Sequence, residues 1–409
     1  MSAAKKKWIS RLVKFGVCLG AVLYLRSNVS LDDRIKLIGS PDEKHEVISY
    51  NDRSVTIRDE NSGQERVVPW ADVVKAPEDR ENADAIERGL ISIVRQTDWS
   101  WAGWALLAFG PATFCIAWRL RLLLKMQNIS IRYRDTLLLT FAGNFFNFAM
   151  PGTTGGDLYK AYHIAKRTHK RTEGVTVVFL DRVIGLISFL LLSAVAIYLA
   201  RHRGTIGWFG SAIGYSMLAF FITVGLFFSR RVRRWIRYDA ILKRLPFASV
   251  VRRVDETAFN FRYHPRQTIT ALLVTIFVHF FFISAVYLLA RGLGIHPSGE
   301  ATATGLYLAV FLAVVVGYLF AAIPISFQGL GLLEAVFIKV LVEGGWCGMS
   351  EMLALTLGAR LVQVVWALPG AIVPWLGFGR PPGHTADDAF KDAETPREKA
   401  DVGVVGGAA

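Results

Sequence analysis

The chain is short of cysteine and of charge, and it lacks the small motifs that mark soluble catalysis. Its three cysteines, Cys18, Cys115 and Cys347, stand far apart in 409 residues. None forms C-x-x-C, so neither a zinc site nor a disulfide framework is signalled. Each lies in or beside an apolar run and reads as a buried, inert thiol. Charged residues make up 20% of the chain and hydrophobic ones 53%, with a mean hydropathy of +0.36. Soluble domains carry about 25% charge, so this balance excludes a disordered chain and argues against an ordinary soluble enzyme. The sequence holds no P-loop, G-x-S-x-G, H-E-x-x-H or G-x-G-x-x-G. Its apolar part has no D-x-D or D-x-x-D to clamp magnesium on a diphosphate, which counts against a polyprenyl-phosphate glycosyltransferase. No metal and no cofactor are expected.

What the chain does have is long apolar runs. A bilayer core of about 30 Å takes roughly 20 helical residues. Runs of that order lie at 8–25, 99–118, 174–200, 206–228, 268–290, 302–323 and 352–377, and two shorter ones at 136–151 and 328–343. The first follows Lys5, Lys6 and Lys7 and has no small-x-small cleavage pattern, so it reads as an uncleaved anchor. The expected organisation is an N-terminal membrane anchor over 1–26, an extramembrane α+β insertion over 27–97, a transmembrane core over 98–378 and a disordered tail over 379–409. In the insertion, 45–50, 54–58 and 66–70 alternate as half-buried strands, with turns at Asn51-Asp52 and Asn61-Ser62-Gly63. The charged stretch 76–96 reads as helical.

Charge placement sets the topology. The net charge is +14, but 27–97 is net −5 and the tail net −2, so the excess lies beside the apolar runs. That pattern belongs to membrane loops rather than to a nucleic-acid surface, and no nucleic-acid partner is expected. Segments 119–135, 157–173 and 229–267 carry +4, +3 and +8. If 136–151 crossed the membrane, the most basic loops would face opposite sides. If it enters and returns, all three face the cytoplasm, as the positive-inside rule favours. Asn144, Asn147 and Pro151-Gly152 are also poor company for a lipid-facing helix. The expected fold class is therefore an all-α polytopic membrane protein with seven or eight spans, one or two re-entrant hairpins and a small extramembrane α+β insertion. Its N-terminus is cytoplasmic and 27–97 faces out.

Two stretches could carry chemistry. Asn144 to Asp157 and Ile323 to Glu334 each place Pro after an apolar run, then a hydroxyl residue, two nearby glycines and a carboxylate. Broken helices of this kind can turn backbone N–H groups toward an anion at membrane depth. Charges inside apolar runs are the second signal: Asp181, Arg182, Glu334, Lys339 and Arg360. Each costs about 2.5–3.5 kcal/mol mid-span on insertion scales unless it has a partner or a cavity. Asp181 and Arg182 are sequence neighbours and do not face each other on a helix. The candidate pairs are Arg182 with Asp157 or Glu334, and Arg360 with Glu334. An arginine pair suits a phosphate, because the guanidinium fork matches its oxygens. Mid-span His279 reads as a hydrogen bonder rather than a metal ligand.

At these motifs the chain resembles the lysylphosphatidylglycerol synthase transmembrane region family, flippase-like membrane proteins, over roughly 98–378. The resemblance rests on P-G-x-x-G-G-D from Pro151 to Asp157, with Asn144 and Asn147 upstream. It rests also on Arg182, on P-x-S-x-x-G-L-G-x-x-E from Pro324 to Glu334, and on Arg360. It implies a multi-pass protein of the cell inner (plasma) membrane that handles an anionic lipid, in some members by moving aminoacylated phosphatidylglycerol between leaflets. The lipid-binding residues it implies are Asn144, Gly155, Gly156, Asp157, Lys160, Arg182, Gly329, Gly331, Glu334 and Arg360. The chain departs from the family pattern where Lys160 and Leu333 replace arginines.

The expected function is to bind and translocate an anionic phospholipid or lipid-linked headgroup, with membrane lipids as partners. The alternatives are a membrane-embedded lipid-phosphate transferase using Asp157 or Glu334 as acid/base, or a scaffold that engages a protein partner through 27–97. Lysyl transfer from tRNA needs a sizeable soluble domain. The stretch after 378 is too short and polar for one, so the expectation is that the chain is not a synthase by itself.

Overall fold

In a computed structural model of the protein, the described residues are 29–51, 53–58, 64–74, 86–150, 155–200, 263–295, 303–322 and 329–376. The runs at 8–25 and 206–228, the basic segment 229–262, the tail from 379, and the breaks Pro151–Thr154 and Ile323–Gln328 lie outside them.

The N-terminal module is an antiparallel meander in the order β1 (Arg34–Leu37), β2 (Ser40–Tyr50), β3 (Ser54–Arg58) and β4 (Glu65–Pro69). Alternation builds its core: Val55 and Ile57 of β3 face inward with Ile35, Val68, Trp70, Val73 and Ile86. The β2–β3 turn is held by the Asn51 side chain, whose Oδ1 accepts the N–H groups of Arg53 (3.0 Å) and Ser54 (2.8 Å). The strands expected at 45–50, 54–58 and 66–70 are present, and β1 was not anticipated. The helix expected over 76–96 is not continuous. Glu87 bridges to Arg34 on β1, and helix α1 runs only over Leu90–Gln96; residues 75–85 lie outside the described residues.

The rest is helical. Its elements are α2 (Trp99–Met126), α3 (Tyr133–Ala149), α4 (Gly155–Arg167), α5 (Arg171–Ala200), α6 (Pro265–Gly292) and α7 (Ala303–Ala321). After these come α8 (Leu332–Phe337), continued by a π turn at Ile338–Val342, and α9 (Met349–Ala367). Among the described residues, five stretches are long and apolar enough to cross a membrane: Trp99–Met126, Arg171–Leu199, Pro265–Gly292, Ala303–Ala321 and Met349–Trp375. They coincide with five of the seven long runs. Exposed apolar stripes run along α6 (Ile269, Leu273, Phe277, Phe280) and α9 (Leu357, Leu361, Val365). Such stripes are a liability in water and the expected surface in lipid. At the centre stands α7, whose consecutive Ala313, Val314, Val315 and Val316 are all fully buried.

Antiparallel α2 and α6 set the frame. The Asp98 N–H donates to the Gly292 carbonyl (2.9 Å) at one end, and Arg119 meets Thr275 toward the other. The α2–α3 and α4–α5 turns share one face: Lys170 Nζ donates to the Gln127 carbonyl at 3.2 Å, and Arg167 pairs with Asp135 at 3.1 Å. The last turn of α3 and the first turn of α4 lie together as a helical hairpin, with Asn147, Phe148 and Asp157 inside the bundle. The module sits on the opposite face, tied down by Arg88, which pairs with Glu351 at the start of α9 (3.2 Å) and donates to the Leu293 carbonyl (3.4 Å). From that same face α8 and its π turn reach inward. They cover eleven residues, about 16 Å at 1.5 Å per residue, too short to span. Two short helical pieces thus enter the bundle from opposite faces.

Candidate functional site

The α3–α4 hairpin closes through two glycines. A Cβ on Gly156 would lie 1.8 Å from the Gly143 carbonyl oxygen, so only glycine permits this approach. Asn147 Oδ1 accepts the Gly156 N–H at 2.9 Å and fixes the start of α4. One residue on, Asp157 emerges in the first turn of α4 and pairs with Arg182 Nε on α5.

The second inward piece is built alike. Gly331 caps α8 with φ at +85°, a backbone state that disfavours side chains, and its N–H donates to Glu334 Oε2 at 2.7 Å. The other oxygen of Glu334, Oε1, accepts from Arg360 Nη2 on α9 at 2.9 Å. One carboxylate thus caps a helix and holds an arginine. Arg182 and Arg360 each lie eleven residues into their helices, roughly 16 Å from the helix start. Both pairs are therefore far from either face.

They open on one cavity of about 440 Å³. Asn144, Asp157, Lys160, Arg182 and Arg360 line it, with Arg119, Asn147, Asp181, Tyr318 and Gln363 as further polar groups. Gln363 Nε2 donates to the Tyr318 hydroxyl at 2.8 Å. Apolar walls come from Phe109, Ile116, Phe148, Leu186 and Phe189. Glu334 is buried behind Arg360 and does not line the space, whereas its neighbour Leu333 does. Gly155 packs on Phe146 and Met150, Gly156 on Gly143, and Gly329 on Ala321 of the cavity wall. Gly331 stays beneath as the α8 cap. Asn144, Asp157, Lys160, Arg182 and Arg360 are thus gathered at the surface of one cavity; Gly155, Gly156, Gly329, Gly331 and Glu334 shape it from behind.

Sequence reasoning missed Arg119 and placed Asp181 in no pair. Arg119 forms a two-pronged ion pair with Asp181 (Nε to Oδ1 2.7 Å, Nη2 to Oδ2 2.9 Å) and donates from Nη1 to Thr275 Oγ1 at 2.8 Å. It lies within α2, not in the loop assigned to 119–135, because the helix continues to Met126. The signal for it was Asp181 itself, a mid-span carboxylate in need of a cation. His279 is buried with its ring 3.8 Å from that of Phe189, and its Nε2 finds no hydrogen-bond partner among the described residues. Cys115 and Cys347 are half-buried thiols, and burial pushes the Cys347 thiol up from its ordinary range.

Five candidate spans around a charged, part-apolar cavity define a multi-pass membrane protein with an internal polar site. Residues 88–370 match the family model described as the Lysylphosphatidylglycerol synthase TM region, and the chain belongs to that family. Comparison with curated proteins gives no match.

Proposed function

We propose that the protein, with seven or eight spans in the cell inner (plasma) membrane and a cytoplasmic N-terminus, binds the headgroup of an anionic phospholipid in this cavity and moves it between leaflets. The observation that carries the reading is that Arg182 and Arg360, from different spans, line the same cavity, the first paired with Asp157 and the second with Glu334. A guanidinium has five donors. Arg360, whose Nε has no partner among the described residues, keeps capacity for a phosphate, which accepts paired N–H···O bonds as a carboxylate does. At rest Asp157 and Glu334 offset the cost of two arginines in apolar surroundings. When lipid arrives, its phosphate takes over bonds that the carboxylates held.

The two pairs differ in access. The Arg182 side chain is 40% exposed and Arg360 18%. Phosphate therefore meets Arg182 first, beside the α3–α4 hairpin, and reaches Arg360 beside α8. Because these pieces enter from opposite faces, a headgroup passing from one arginine to the other advances across the membrane. The apolar wall accommodates the acyl-linked part. The hairpin face, rich in Arg132, Arg134, Lys166, Arg167 and Lys170, is the cytoplasmic one by the positive-inside rule, and the sheet-bearing module faces out.

The test is transfer of fluorescent phosphatidylglycerol in vesicles holding the purified protein, read by quenching with an impermeant reductant. The parent moves the lipid, and Arg182→Lys, which keeps charge but loses the planar fork, slows it about ten-fold. Equal rates in parent and protein-free vesicles would refute translocation.

A further inference from the structure

The charges around the cavity do not balance among the described residues. Arg119 is matched by Asp181, Arg182 by Asp157 and Arg360 by Glu334. Lys160 is the fourth cation. It lines the cavity, is 5% exposed, and has neither a hydrogen bond nor an ion pair among the described residues. Its seat is built: the stem lies across Gly143, where a Cβ would come within 2.3 Å of Lys160 Cε. Among the described residues the cavity therefore holds one cation more than it has carboxylates, on a residue that cannot reach bulk water without leaving its groove.

We infer that Lys160 sets the charge of the ligand: the site selects a phosphodiester lipid whose headgroup carries a net charge of −1 and no cation of its own. This rests on the reading that the cavity takes a lipid headgroup. A single phosphodiester neutralises the surplus. An ethanolamine, choline or aminoacyl headgroup adds an ammonium beside Lys160, Arg182 and Arg360, where all three carboxylates are already held by arginine. A neutral polyol remainder finds hydrogen-bonding groups in Asn144, Tyr318 and Gln363. The inferred ligand is thus the unmodified anionic lipid rather than its aminoacylated form.

The experiment uses the full chain, delipidated in a neutral maltoside detergent. Binding is measured for short-chain phosphatidylglycerol, phosphatidylethanolamine and lysylphosphatidylglycerol, with glycerophosphoglycerol as the water-soluble counterpart of the first. The parent should bind phosphatidylglycerol at least ten-fold more tightly than either other lipid. Lys160→Met should bring that preference to within about two-fold, by weakening phosphatidylglycerol binding and lifting part of the penalty on phosphatidylethanolamine. A parent without preference overturns the inference whatever the variant does, and leaves lipid binding standing. A folded Lys160→Met that keeps the parental preference also overturns it. If glycerophosphoglycerol binds as tightly as the lipid, the ligand is a soluble phosphate ester and the lipid assignment falls. If the parent binds none of the lipids, the reading of the cavity falls and this inference with it.

Discussion

Arg119 and Asp181 are joined by two parallel N–H···O bonds deep in the bundle, and Thr275 takes a third bond from the same guanidinium. The unit ties α2, α5 and α6 together. Arg119 has all three of its nitrogens engaged, whereas Arg360 Nε has no partner among the described residues. Arg119 is accordingly a fastener, and Arg360 is a group with a bond to give.

A fastener of this kind should show in stability. Removing one member leaves a buried charge uncompensated, at about 3–5 kcal/mol. Asp181→Leu should therefore lower the unfolding temperature of detergent-purified protein sharply, and the double variant Arg119→Met/Asp181→Leu should recover most of the loss. A single variant that melts like the parent would show that the pair carries no stability.

How much of this was legible in the sequence depended on what fixes each residue. Apolar length alone located the five described spans. The need to pair charges gave Arg360–Glu334 in advance and left Arg182 to Asp157 or Glu334, of which the structure takes Asp157. Arg119 escaped because the span was ended where the apolar run ended, at Trp118. A paired arginine permits the helix to run on to Met126, and only the third dimension supplies the pair. The same holds for Tyr318 and Gln363, whose bond links two helices. In the module, β3 was readable from its alternation. The four residues of β1 were too short to register, and Glu87 was read as helix because its bridge to Arg34 is a long-range contact.

The hairpin depends on bare backbone at the crossing of α3 and α4. Gly156→Ala should cost about 1–3 kcal/mol by overpacking, because the added methyl meets the Gly143 carbonyl oxygen. Gly103→Ala on α2, where a Cβ meets nothing within 4 Å, is the matched control. It should be neutral or slightly stabilising. Thermal unfolding of both variants separates a steric crossing from a general intolerance of alanine.

Glu334 couples the α8 cap to Arg360. Glu334→Gln keeps the shape but weakens both bonds, and should cost about 1.5–3 kcal/mol in lipid-free protein. It also leaves Arg360 without its anion, so added phosphatidylglycerol should restore more stability to the variant than to the parent. Equal gains in the two proteins would mean that Arg360 does not meet lipid.

Topology is checked by single cysteines in a cysteine-free background. Thr168 lies at the α4–α5 turn and Val67 on exposed β4. An impermeant maleimide applied to intact spheroplasts should label Val67→Cys and spare Thr168→Cys. The reverse pattern would invert the protein in the membrane. Labelling of both would place the hairpin ends and the module on one side.

The central claim is that Arg182 and Arg360 hold a lipid phosphate, and the most direct test is native mass spectrometry of co-purified lipid. Lysine keeps the charge without the fork. Arg182→Lys and Arg360→Lys should each purify with markedly less anionic phospholipid than the parent, at an unchanged unfolding temperature. If both variants carry the parental complement of lipid, the two arginines are structural and the cavity is not a headgroup site.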